Sequence, residues 1–315
     1  MTTLWILGSI ILLFVLPAAL MLVKTMPIAR SVYREQLVRE NPKKWRRENS
    51  CPSDPEYSAM YQAAEDWAKR YDQLTKEVSI SSSGLNLCGR FTDFGSNKTA
   101  VILCGRAEGC IYSYYYAEPY RTAGYNILVV DQRAHGNSDG VYSGMGFLEQ
   151  DDVIEWINYL HYHCHTDAVV IHGVCIGAAC AIYVAANPNC PEYVKGIVVD
   201  GLFRSFYDVF IARFNTYKKP LFPVLWEVEY LIRKNTGIDI RKDAPFQYIK
   251  RIHIPILLIH SKEDVSSKPE YVEPMAQSCP AQTKIVWADH GAHSHVRFQN
   301  QALYDTSIRE FLQST

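Results

Sequence analysis

Ala168-Val169-Val170-Ile171-His172-Gly173-Val174-Cys175-Ile176-Gly177 begins as an apolar, β-branched run and ends in two glycines spaced around one cysteine. Small and apolar residues follow from Ala178 to Ala186, a composition suited to a buried helix. A strand that turns at once into a helix must bend sharply at the residue between them. Glycines on both sides remove the Cβ atoms that would otherwise collide. The bend lifts the central side chain clear of the sheet, and that side chain is the thiol of Cys175. A free cysteine in such surroundings is also a common small core residue, so the pentapeptide needs support from its context.

The context is a repeated alternation. Short β-rich runs at Ala100 to Leu103, Asn126 to Val130, Gly196 to Asp200, Ile256 to His260 and Lys284 to Trp287 are separated by stretches of helical spacing. Alternation of this kind predicts crossover connections and a mostly parallel sheet covered by helices on both faces. Ahead of it, Val78 to Ile80 and Leu87 to Phe91 flank Ser82-Ser83-Gly84, which reads as a β-hairpin. Apolar residues at Tyr57, Met60, Tyr61, Ala64, Trp67, Ala68, Tyr71 and Leu74 predict an amphipathic helix docked on this domain.

Later strand ends carry the groups that a thiol nucleophile needs. The run Ile254 to His260 leads into Ser261-Lys262-Glu263-Asp264, and the last strand leads into Asp289-His290-Gly291-Ala292-His293-Ser294-His295. Residue types alone leave Glu263, Asp264 and Asp200 as acids, and His290, His293 and His295 as bases. With the order nucleophile, acid, histidine in place, the chain resembles the α/β-hydrolase superfamily, especially bacterial single-pass members, over about residues 75–315. Asp131-Gln132-Arg133-Ala134-His135-Gly136-Asn137-Ser138-Asp139-Gly140 is similar to the loop that follows a central strand in that family, where the histidine fixes the loop.

The resemblance implies an α/β-hydrolase fold with Cys175 as nucleophile, Asp264 as orienting acid and His293 as base. It also implies an oxyanion hole from the backbone N–H groups of Arg106 and Ile176. Cys104-Gly105-Arg106 stands where the family has His-Gly-x, and backbone donation does not depend on the side chain. A thiolate is a good nucleophile and a good leaving group, which favours activated acyl groups: thioesters, lactones or aryl esters. Dienelactone hydrolases resemble this Cys-His-Asp arrangement. The expected function is therefore acyl-bond hydrolysis or acyl transfer without a cofactor or metal. The competing class is a membrane-anchored protein of this fold that binds or scaffolds without efficient turnover.

Residues 202–249 interrupt the alternation with aromatics that include Phe203, Phe206, Phe210, Phe214 and Trp226. An insertion at this point reads as a helical lid, with Phe203, Phe206 and Phe210 against a hydrophobic, lipid-derived acyl substrate, or as aromatics that only pack the insertion down. His161-Tyr162-His163-Cys164-His165 is rich in ligand-type side chains but has no second converging set, and reads as a solvated loop.

Composition limits the remaining possibilities. The chain has 315 residues with 32 Lys+Arg against 33 Asp+Glu, a balance that gives no electrostatic ground for a nucleic-acid partner. Nine cysteines, an odd number without a CxxC pair, fit a reducing compartment. Residues 1–23 carry no charge, and Leu4 to Val23 is long enough, at ~1.5 Å per residue, to cross a ~30 Å hydrocarbon layer. The domain expectation is an anchor over 1–24, a basic juxtamembrane segment and linker over 25–54, and the hydrolase domain over 55–315. Lys24, Arg30, Arg34, Arg39, Lys43, Lys44, Arg46 and Arg47 just after the anchor place the main domain on the cytoplasmic side.

Overall fold

The computed structural model describes residues 11–39, 54–104 and 109–315. Its centre is an eight-stranded sheet: β1 (Thr75–Ser82), β2 (Leu85–Thr92), β3 (Lys98–Cys104), β4 (Asn126–Val130), β5 (Ala168–Val174), β6 (Val194–Asp200), β7 (Ile256–Ser261) and β8 (Thr283–Ala288). The order is β1-β2-β4-β3-β5-β6-β7-β8. β1 and β2 form the expected antiparallel hairpin, β2 meets β4 antiparallel, and every later pairing is parallel. The central strands read as unbroken apolar runs because both of their faces are covered. Alternate residues divide between two cores. Val101, Val169, Ile171 and Val199 face one side, and Ile102, Val170, Val198 and Ile259 face the other.

The long helices are α1 (Leu16–Leu37), α2 (Pro55–Arg70), α3 (Glu149–Cys164), α4 (Ile176–Ala186), α5 (Phe206–Thr216), α6 (Val224–Thr236) and α7 (Gln301–Gln313). Asp54 caps α2 by accepting from the Tyr57 N–H at 3.0 Å, with Pro55 at the first helical position. Met60, Tyr61, Ala64 and Trp67 then bury α2 against Tyr112 to Tyr116 and the face of the sheet that α7 also covers. α3 and α4 close the opposite face.

Parallel register matters most for function. Cys104 pairs with Val174, Val174 with Asp200, Asp200 with Ile259, and Ser261 with Ala288, so five strands finish along one edge. The segments that begin at Cys175, Gly201, Lys262 and Asp289 all leave from that edge. Cys175 and the loop that carries His293, 118 positions further along the chain, thereby leave from the same edge.

Between β6 and β7 the chain forms the helical insertion, with α5 and α6 as its main elements. A third apolar cluster joins it to the N-terminal helix: Ala29, Val32, Tyr33 and Leu37 of α1 pack on Phe210, Phe214, Val224, Leu225, Val228 and Ile232. α1 continues without a break through Pro27 to Leu37, well past the end of the uncharged run. Arg39 then donates to the carbonyls of Gly136 and Ser138, so this basic residue grips the 131–140 loop.

Candidate active site

Cys175 occupies the turn between β5 and α4 with φ 57° and ψ −112°, a region that costs a non-glycine residue roughly 1–3 kcal/mol. The neighbours explain how the turn is held. A Cβ on Gly173 would lie 2.1 Å from the Gly177 carbonyl oxygen, and one on Gly177 would lie 1.9 Å from that of Leu103. Only glycine at both positions lets β3, β5 and α4 approach this closely. The Cys175 N–H donates to the Asp200 carbonyl at 2.9 Å, tying the turn to the adjacent strand end. Ile176 is the first residue of α4, and its N–H has no partner within the helix. Arg106, the other expected oxyanion donor, lies outside the described residues.

Asp264 follows β7 and is buried. Its Oδ1 accepts from the Ser266 and Ser267 N–H groups at 2.8 Å each, while Oδ2 lies 2.7 Å from His293 Nδ1. Burial acts to raise the Asp264 pKa, but the His293 hydrogen bond and charge outweigh it and hold the carboxyl below its ordinary range. His293 shows the reciprocal balance. Burial pulls its pKa down, yet the Cys175 thiol and the Asp264 carboxylate together raise it well above the usual histidine value. His293 therefore interacts with Cys175 and Asp264 at once, and the three sequence-predicted residues meet in one place.

The alternatives are occupied elsewhere. His290 is exposed and pairs with Glu263 at 3.2 Å, so the competing base and the competing acid engage each other at the surface. His295 pairs with Glu56 and meets the Tyr57 ring edge-on, fastening α2 to the 289–295 loop. Asp200 is fully buried and accepts from the Tyr304 hydroxyl at 2.9 Å, which in turn bonds His172 Nε2 at 2.9 Å. Burial, partly offset by the Tyr304 hydrogen bond, pushes the Asp200 pKa to about 7; burial pushes that of His172 down to about 3. At neutral pH His172 is therefore uncharged, and Asp200 is near the midpoint of its titration.

In the 131–140 loop, the Asp131 carboxylate collects the N–H groups of Cys110 at 2.6 Å and Asn137 at 2.9 Å, and His135 Nδ1 lies 2.9 Å from the Arg133 carbonyl. His135 thus closes its own loop. Phe203 belongs to the main core, and Phe210 is buried between the insertion and α1. Phe206, half-buried, touches both neighbours and stands between those two cores. His161 of the histidine-rich tract stacks on Tyr193 and engages the Thr166 carbonyl at 2.8 Å. Among the described residues, no group of three or more His, Cys, Asp or Glu side chains is arranged to hold a metal ion.

Sequence reasoning missed Gly201. It follows Asp200 with φ +64°, and a Cβ there would lie 3.1 Å from His293 Cε1. The signal was available: a glycine directly after an apolar strand end. Tyr304 on α7 gave no such signal, because nothing in its helix sets it apart from a packing aromatic.

No family model matches the chain. Over 247 residues it is 26% identical to the uncharacterized protein YqkD of Bacillus subtilis strain 168, a match that covers 77% of this chain and 81% of that one. Among solved structures it is similar to an esterase of Pyrococcus furiosus, with a TM-score of 0.65, 22% identity, and coverage of 78% of this chain and 93% of the other. It is likewise similar to an alpha-beta hydrolase from Vibrio vulnificus, with a TM-score of 0.64, 20% identity, and coverage of 90% and 93%. An acylaminoacyl peptidase of Pyrococcus horikoshii matches at a TM-score of 0.55 and 16% identity, over 78% of this chain and 43% of its own. The fold is that of the α/β-hydrolases, as the strand order and the elbow already indicated.

Proposed function

We propose that the protein is an acyl-bond hydrolase or acyltransferase that works through a Cys175–His293–Asp264 triad. The observation that carries this reading is His293 engaging the Asp264 carboxylate through Nδ1 at 2.7 Å while interacting with the Cys175 thiol. In the first step the Cys175 proton passes to His293, and the sulfur forms a bond to the acyl carbon. The Ile176 and Arg106 N–H groups stabilise the resulting oxyanion. Collapse breaks the bond to the leaving group, which takes the proton from His293. Water or another acceptor then attacks the thioester as His293 removes its proton, and the cysteine sulfur departs. Asp264 keeps the imidazole in one orientation throughout and does not itself exchange a proton.

The reading extends to a substrate with an activated, hydrophobic, lipid-derived acyl group. It is supported by the nucleophile's chemistry, by Phe206 in the insertion that starts beside His293, and by the apolar helix over Leu13–Leu37, which is long enough to cross a membrane. We place the chain as a single-pass membrane protein with its catalytic domain in the cytoplasm. The test is intact-mass analysis after exposure to p-nitrophenyl esters and acyl thioesters. The expected result is one acyl adduct, absent in Cys175→Ala. Turnover that survives Cys175→Ala, or no adduct with any activated donor, overturns the proposal.

A further inference from the structure

The insertion presents large apolar side chains to solvent. Phe222 is 70% exposed, Trp226 52% and Tyr230 49%, and Leu221 is exposed as well. They would be unremarked surface residues but for their position along α1.

Two contacts fix that position. The Thr25 hydroxyl donates to Glu227 at 2.9 Å, and the Tyr33 hydroxyl lies beside the Asn235 side chain. Both pairs are separated by the same 202 residues, so α1 and α6 run parallel and in register. By that register Trp226 is level with Lys24, the first charged residue of the chain. The Leu225 N–H donates to the Leu221 carbonyl at 2.7 Å, so the chain at Leu221 and Phe222 lies against the N-terminal end of α6. That end points toward the uncharged part of α1, on the apolar side of Lys24. Leu20 and Val23 of α1 are themselves exposed. Lys218 and Lys219, both exposed, sit in the same connection between α5 and α6.

We propose that the tip of the insertion, Leu221, Phe222 and Trp226, is seated in the bilayer beside α1, with Trp226 at the headgroup level. This rests on α1 being the membrane anchor. The occupant follows from continuity with α1: a side chain fixed level with Lys24, or on its apolar side, beside a spanning helix has lipid around it. The composition agrees. An aromatic belt at the interface is what that depth favours. The insertion is docked on α1 through a buried apolar cluster, so the protein is held at the membrane by a rigid two-point mount.

The experiment uses the full-length chain in phosphatidylcholine–phosphatidylglycerol vesicles. The Trp226 emission is obtained as the difference between wild type and Trp226→Phe, which subtracts the other tryptophans. The expected result is a difference spectrum quenched severalfold more by lipid labelled with doxyl at acyl carbon 5 than by aqueous iodide. Phe222→Trp in the Trp226→Phe background moves the reporter deeper, and its quenching by the same lipid should exceed that of Trp226. A carbonate wash reports the anchor separately. Release of the chain overturns the anchor and this inference together. Retention with Trp226 open to iodide, or shielded from both quenchers as in contact with a second copy, overturns the inference while the anchor stands.

Discussion

Gly201→Ala isolates the dependence of His293 on the shape of its surroundings. The added methyl would stand 3.1 Å from His293 Cε1, 3.3 Å from Nδ1 and 3.8 Å from Asp264 Oδ2. Carbon contacts are comfortable at about 3.5–4.0 Å, so the ring must retreat by about 0.5 Å. Asp264 cannot follow, because two backbone N–H groups hold its other oxygen at 2.8 Å. The 2.7 Å bond to Nδ1 lengthens and the imidazole leaves its line to Cys175. A displacement approaching 1 Å costs about a hundredfold in rate, so a loss of roughly 10- to 100-fold is expected here. The backbone contributes separately: alanine at φ +64° costs about 1–2 kcal/mol in stability, at about 2–4 °C in Tm per kcal/mol. Gly84→Ala separates the two effects. Gly84 has φ +77° and nothing within 4 Å of an added Cβ, so its variant should lose similar stability and no activity. The assay is single-turnover acylation of Cys175 by a thioester, alongside thermal melts of both variants. If Gly201→Ala acylates at the wild-type rate while melting lower, the steric argument for a tightly placed His293 is wrong.

Asp264→Asn removes one of the two groups that raise the His293 pKa, so the histidine's titration followed by NMR should move down and acylation should fall by roughly 10³- to 10⁴-fold. Asp200→Asn bears on stability. With a folded pKa of about 7 against about 3.9 unfolded, the native state keeps a proton that the unfolded state has lost between those values. Wild-type stability contributed by this group therefore falls as pH rises from about 4 to 7, and urea denaturation across that range should show a flatter profile for the variant. Gly177→Ala places a methyl 1.9 Å from the Leu103 carbonyl oxygen, and expression with far-UV circular dichroism should show a chain destabilised by more than about 3 kcal/mol or unfolded. A variant with native stability would mean that the elbow and β3 are not in close contact.

Much of this architecture was legible because its causes are local. The six runs read as strands are strands, since β-branched residues flanked by turns leave a buried segment few other states. The helix read over Tyr57 to Leu74 followed from the spacing of the side chains it buries, but it ends at Arg70, and a separate tight turn over Asp72–Leu74 leads into β1. The continuation of α1 to Leu37 was not legible. The reading stopped where charge began, whereas the helix is carried onward by Ala29, Val32, Tyr33 and Leu37, whose partners lie some 200 residues away. Phe203 and Phe210 show the same limit: an apolar ring is equally suited to a core and to a pocket, and only its neighbours separate the two.

The site divides along the same line. Sequence by itself determined that a thiol stands between two glycines at a strand–helix bend, because the steric demand of that bend is written in the five residues from Gly173 to Gly177. It also determined the strand ends from which an acid and a base would come. It left three histidines within six residues, chemically equivalent and differing only in direction. The tertiary structure separated them: Glu263 draws His290 to the surface, Glu56 draws His295 toward α2, and Asp264, fixed by two amides, faces His293 across the space that Gly201 leaves open. Direction within a loop depends on partners from distant segments, and those partners meet only when the parallel strands bring their ends to one edge.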